Sequence, residues 1–152
     1  MTTRMENAKL FRVIAIGVSL IAATAHGAQA SEIVIDGGWF RALPPAVPSG
    51  AYFTLRNGGT QTVTLVGADS PACGMLMLHK SENHGGMGSM TDMETVDIAA
   101  GGVVLFTPGG YHLMCMDAKP VLKPGASVPV TLSFKGGKMV TANFLVRNAA
   151  GH

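Results

Sequence analysis

The side chains of this chain best suited to chemistry are methionines and histidines, and they are unevenly spread. Beyond residue 30, seven of eight methionines and three of four histidines fall between Met75 and Met116. At the end of this run stands Gly109-Gly110-Tyr111-His112-Leu113-Met114-Cys115-Met116. On a strand, positions i and i+2 share one face about 6.6–7 Å apart at the backbone, so His112 and Met114 can reach one small ion. An imidazole and a thioether converging on one point select a soft metal, copper(I) first. Thioethers do not titrate, so such a set stays competent as pH drifts. Zinc more usually asks for thiolate or carboxylate beside imidazole. Calcium and magnesium need several oxygens, and the loop before the His112 strand offers only Glu82 and Asp92.

These residues need a scaffold, and its punctuation reads as all-β. Glycine is abundant, proline regular, and no helical apolar period of useful length appears. Glu32–Asp36 alternates as a first strand, and the prolines at 44, 45 and 48 keep the next loop extended. Residues 50–57 form a strand ending at Asn57-Gly58-Gly59, and 62–68 continue beyond it as the second arm of an expected hairpin. Gly74–His79 is apolar on both faces and reads as a central strand. Lys80–Thr91, with Gly85, Gly86 and Gly88, reads as a mobile loop presenting His84, Met87 and Met90. Short strands at 94–98 and 103–106 flank the turn at 99–102. A closing hairpin spans 128–146 around Lys135-Gly136-Gly137-Lys138. Eight or nine short strands predict a Greek-key β-sandwich or barrel, with residues 31–152 as a single domain.

Residues 1–30 read as a targeting segment. Arg4, Lys9 and Arg12 make a positive start, Val13–Ala23 an apolar core, and Ala28-Gln29-Ala30 a cleavage site. The apolar run is shorter than the roughly 18–20 residues that span a bilayer, so cleavage and release to the periplasm are expected, with no stable membrane insertion afterwards. No cysteine lies near the cleavage site. Without the leader's three cations and one carboxylate, eight basic and eight acidic residues remain. A chain of formal charge zero without a local Lys/Arg cluster has no electrostatic footprint for nucleic acid.

The spacing carries more than a single pair. His79, ten residues, Met90, twenty-one residues, His112, one residue, Met114 resembles the pattern of periplasmic copper(I) chaperones of the PCu(A)C type. The surroundings agree: Trp39 and Arg41, Ala51-Tyr52-Phe53 before Asn57, Pro108–Met114, and Leu122-Lys123-Pro124-Gly125. The resemblance covers essentially the whole chain after residue 30. It implies a cupredoxin-like fold and copper(I) held by His79, Met90, His112 and Met114. It also implies passage of copper to a receiving protein, a cytochrome c oxidase subunit with its binuclear copper centre or another copper chaperone. The expected function is metal carriage without catalytic turnover.

Other residues carry plainer expectations. Met75 and Met77, in an apolar run, read as core filler. His84, Met87 and Met93 read as loop residues with secondary metal binding as the alternative, and Met116 as a supporting or core residue with the same alternative. Met139 is expected to pack, and His152 to fray. Cys73 and Cys115 form an even count in an oxidising compartment, which allows a disulfide; two free thiols, at least one buried, are the other reading. Alternation puts Cys115 on the face opposite His112 and Met114, and so outside the ligand set.

Copper storage or detoxification would use the same residues, and sequence does not separate it from delivery. A copper redox enzyme needs a substrate pocket that no motif indicates. Thiol-disulfide exchange would need a C-x-x-C that is absent. A sandwich module for adhesion or assembly, its methionines merely core, is the last alternative.

Overall fold

The computed structural model describes residues 32–152; the leader and its cleavage site lie outside them. The described chain contains no helix and folds as ten strands, β1 Ile33–Arg41, β2 Ser49–Asn57, β3 Val63–Asp69, β4 Met75–His84, β5 Met87–Asp92, β6 Val96–Ile98, β7 Val103–Phe106, β8 Tyr111–Met116, β9 Ser127–Phe134 and β10 Met139–Arg147. They form one mixed sheet in the order β5-β4-β8-β7-β2-β1-β10-β9-β3-β6, with β8 also paired to β2. The β1–β10 and β7–β8 pairings are parallel, and the rest antiparallel.

The sheet folds over a single core to which both of its halves contribute. Leu76, Leu78, Leu113 and Cys115 enter it from β4 and β8, and Leu65, Ile98, Val130 and Leu132 from β3, β6 and β9. Phe40, Phe53, Phe106 and Phe144 fill the middle, with Phe53 stacked on Phe106 at 4.2 Å between ring centroids. Buried apolar area on this scale, about 25 cal/mol per Å², is the main term holding the fold.

The all-β class and the closing β9–β10 hairpin agree with the sequence reading. Gly136 and Gly137 both take positive φ, at 90° and 88°, in the turn that reverses β9 into β10. Two expectations are corrected. The strand at 50–57 and the strand at 63–69 are not a hairpin: β2 pairs with β1, β7 and β8, whereas β3 pairs with β6 and β9. The reason is the buried Asn57 side chain. Its Nδ2 donates to the carbonyls of Gln61, Ile98 and Ala99, and its Oδ1 accepts from Gly59 N–H, so it ties this loop to the end of β6. The second correction concerns Lys80–Thr91. This segment is a β-hairpin whose two-residue turn, Gly85-Gly86, has φ of 63° and 89°, the double positive φ that matches strand twist in tight hairpins. The added strand, β5, accounts for ten strands rather than eight or nine.

Candidate metal centre

Three strands position the predicted residues. β4 lies between β5 and β8, and the register sets His79 opposite His112, Met77 opposite Met114 and Met75 opposite Met116. On the other side, His79 faces Asp92 and Ser81 faces Met90. Pleating therefore gives one sheet face His79, Met77, Met90, His112 and Met114, while Leu76, Leu78, Leu113 and Cys115 point into the core. The division at β8 is the one that alternation predicts, Cys115 included.

The turn before β8 fixes the His112 imidazole. Gly109, at φ 83°, lets the chain reverse after Pro108, and Gly110 N–H donates to Thr107 O at 3.0 Å. Gly110 O then accepts twice, from Ser81 N–H at 3.0 Å and from His112 Nδ1 at 3.0 Å. A carbonyl cannot donate, so Nδ1 carries the proton and Nε2 keeps its lone pair for a ligand. The ring is buried, and its centroid lies 5.7 Å from that of His79 in an edge-on arrangement.

His79 is buried as well, and neither of its ring nitrogens has a hydrogen-bond partner. Asp92 Oδ1 comes within 3.0 Å of Nε2, but off the line a hydrogen bond requires; this contact is electrostatic proximity to an exposed carboxylate, not a satisfied bond. A buried imidazole without partners is costly unless something else meets its nitrogens.

A cavity of about 250 Å³ opens beside His112, walled by Met90 and Met114 and by Arg41, Tyr52, Gly50 and Pro108. His79 is not on this wall; it reaches the group across the β4–β8 rung. A larger cavity of about 380 Å³ lies between residues 42–45 and 118–124, and its prolines, alanines and lysines offer no soft donor. Met90 sits on β5, every residue of which is exposed. Thus three candidates line one space, the fourth abuts it, and the least enclosed is Met90.

The sequence flagged Trp39, Arg41 and Tyr52 without giving them roles. The Arg41 guanidinium lies over the Trp39 and Tyr52 rings at 5.8 and 5.6 Å, and Arg147 covers the Trp39 ring at 4.9 Å. Arg41 Nε is buried without a hydrogen-bond partner, so a fixed positive charge forms part of the cavity wall. Tyr52, 6.4 Å from His112 between ring centroids, reaches back over Gly50, where a Cβ would collide with its hydroxyl. Nothing in periodicity or spacing could reveal this cluster, because it joins β1, β2 and β10 through side-chain stacking.

The remaining predicted positions separate. His84 and Met87 face each other beside the hairpin turn, both exposed. On the outer part of the same hairpin, the Lys80 ammonium bonds Glu82 at 2.6 Å, raising the lysine above its usual pKa and, with His84, holding the carboxyl below its own. Met93 packs against the core. Met116 is half-buried beyond Met114. Met75, at 57% exposure, and Met139, at 67%, are not the packed residues expected, since each lies on a strand face away from the core. His152 is not frayed: its N–H bonds Asn148 Oδ1, and its carbonyl accepts from Asn148 N–H. Cys73 and Cys115 are joined in a disulfide, their Cα atoms 5.4 Å apart, which settles the open choice against free thiols.

The family model "Putative lipoprotein LpqE-like" matches residues 33–146. The chain belongs to this LpqE-like, PCuAC family. A protein of Leifsonia xyli subsp. xyli named "Putative lipoprotein Lxx21020" is 29% identical, with 99% of this chain and 94% of its own length covered. The solution structure of Cu(I)-DR1885 from Deinococcus radiodurans is 34% identical, with a TM-score of 0.64 over 83% of this chain and 85% of its own. The copper-bound PCuAC domain from PmoF2 is 20% identical, with a TM-score of 0.63 over 78% of this chain and 96% of its own, a likeness of fold. The all-β fold is accordingly shared with PCuAC domains, and is cupredoxin-like as the sequence led us to expect.

Proposed function

We propose that this LpqE-like protein is an exported copper(I) metallochaperone that binds one ion with His79, Met90, His112 and Met114 and releases it by ligand exchange. The observation that carries this reading is the buried histidine pair: His79 has no hydrogen-bond partner at either nitrogen, only the exposed Asp92 carboxylate 3.0 Å from Nε2, and His112 commits Nδ1 to Gly110 while Nε2 stays free. Two imidazoles with two thioethers are a soft donor set of the kind copper(I) accepts without demanding planarity. The related Cu(I)-DR1885 and copper-bound PmoF2 domain add support through fold and, for DR1885, through sequence.

The chemistry is carriage rather than turnover. His112 and Met114 are fixed on an interior strand, and His79 is held by the rung opposite. Met90 stands on an exposed edge strand, where local opening has the lowest cost, so it is the ligand to exchange first against an incoming donor. Cleavage after Ala30 would release the protein to the periplasm, a compartment in which the Cys73–Cys115 disulfide persists. The receiving protein in this reading is a cytochrome c oxidase subunit, at its binuclear copper centre, or a second chaperone that serves it.

X-ray absorption on the copper-loaded protein tests the site. We expect reduced copper, two sulfurs and two nitrogen or oxygen neighbours, and loss or marked weakening of binding in His112→Ala and Met114→Ala. Unchanged affinity in both variants would refute the assignment. A deletion strain tests the role: loss of a delivery protein lowers oxidase copper loading when copper is scarce, whereas loss of a store matters only at excess.

A further inference from the structure

The rung that joins His79 to His112 is followed along β4 and β8 by two more, Met77 with Met114 and Met75 with Met116. All of these side chains share the face turned away from the core cluster; of them only His79 and His112 are buried, and the alternate positions, Leu76, Leu78, Leu113 and Cys115, carry the core packing of both strands. Core packing therefore does not explain the methionines. Met75 is 57% exposed, and Met77, Met114 and Met116 are partly exposed. A half-exposed strand face ordinarily carries β-branched or polar residues, which fit the pleat and lose less side-chain entropy than methionine. Here all four positions are thioethers.

Directly opposed residues in an antiparallel pair have Cα atoms about 4.5–5.5 Å apart, and successive rungs on one face lie about 7 Å apart. Four flexible, unbranched side chains rooted at the corners of such a rectangle can bring their sulfurs together above its centre. A donor set of neutral thioethers without oxygen or charge discriminates against hard and divalent ions and accepts a soft monovalent one.

We propose that Met75, Met77 and Met116, with Met114 at the junction, form a second and weaker site for a soft monovalent metal ion, through which ions pass to and from the histidine-bearing site. The two sites meet at Met114, which can turn to either side. An ion can then move by exchanging one sulfur at a time, without ever being released to water. The identity of the ion as copper(I) rests on the function proposed above; the preference for a soft monovalent ion rests on the rungs alone.

Silver(I) is a redox-inert probe for such sites. Silver nitrate is titrated, in chloride-free buffer, into the mature disulfide-bonded protein carrying 13C-methyl methionine, and each methyl is followed by NMR. We expect one equivalent to move Met90 and Met114, and a second, weaker one to move Met75, Met77 and Met116. Met75→Leu/Met77→Leu/Met116→Leu, which keeps volume close to constant, should lose the second equivalent and keep the first. His79→Ala/His112→Ala should keep binding at the ladder. A wild-type protein that takes one equivalent with the Met75, Met77 and Met116 methyls unmoved overturns the second site and leaves the first intact. Silver that moves only those three methyls overturns the four-ligand site instead. Because the wild-type spectra alone decide, the proposal stands or falls even where a variant fails to fold.

Discussion

The Cys73–Cys115 disulfide closes a loop with a sequence separation of 42, and all four proposed ligands, His79, Met90, His112 and Met114, lie inside it. Cys115 sits near the end of β8 in the core, between the outward Met114 and Met116, and Cys73 lies just before β4. Removing the bond in Cys73→Ala/Cys115→Ala frees the unfolded chain to expand. The chain-entropy relation for a loop of this length gives a loss of about 4 kcal/mol at 25 °C. For a domain of this size, that corresponds to a fall in Tm of about 15 °C. Both cysteines are buried, so the small cavities left by alanine push in the same direction. Urea unfolding of the oxidised protein, the reduced protein and the double variant measures the effect, with m-values compared because the cross-link also compacts the unfolded state. Copper(I) affinity of the folded variant should stay near that of wild type, since the β4–β5 and β4–β8 ladders, not the sulfur bridge, set the ligand register. A stability loss below about 1 kcal/mol would refute the loop-closure reasoning. Collapse of affinity in a fully folded variant would refute the claim that the ladders alone hold the site.

Met90→Leu should speed copper release to a competing chelator, measured by stopped flow, while changing folding stability by no more than about 0.5 kcal/mol, because its side chain is exposed. An unchanged release rate would remove Met90 from the exchange step. Arg41→Gln takes a positive charge from the cavity wall and so favours the divalent over the monovalent ion; the copper reduction potential should fall, and a rise or no change in voltammetry contradicts this. Asn57→Ala leaves the carbonyls of Gln61, Ile98 and Ala99 without their donor, a cost of about 2–3 kcal/mol in chemical unfolding. A loss under half of that would mean water replaces the side chain.

What the sequence disclosed and what it hid follow a physical line. Alternation is a local property, so the opposed faces of His112 and Cys115 could be read from order alone, as could the all-β class and the β9–β10 hairpin. Partner choice between strands is not local. Asn57-Gly58-Gly59 carries turn residues, but whether the chain turns back on itself depends on carbonyls some forty residues away that the Asn57 side chain binds. Lys80–Thr91 was legible only as a break, because Gly88 lies within β5 and masks the strand that follows the Gly85-Gly86 turn. Met75 misled for a related reason: an apolar run shows that a strand is internal to a sheet but not that both of its faces are covered. The ladder depends on that distinction.

The hairpin also governs release. A floppy loop would offer Met90 to the ion at a large entropic cost and hold it weakly. A β-strand paired on one side only, with every residue exposed, is ordered when closed yet opens at the low end of the fold's local stabilities. Ten of the twelve residues from His79 to Met90 belong to the two arms of this hairpin, so fraying from the turn withdraws Met90 before it disturbs the rung between His79 and His112. Affinity and release can then be set separately, the first by the buried histidine rung and the second by how readily β5 leaves β4. A substitution that stiffens the turn without touching a ligand should therefore slow transfer while leaving equilibrium affinity little changed.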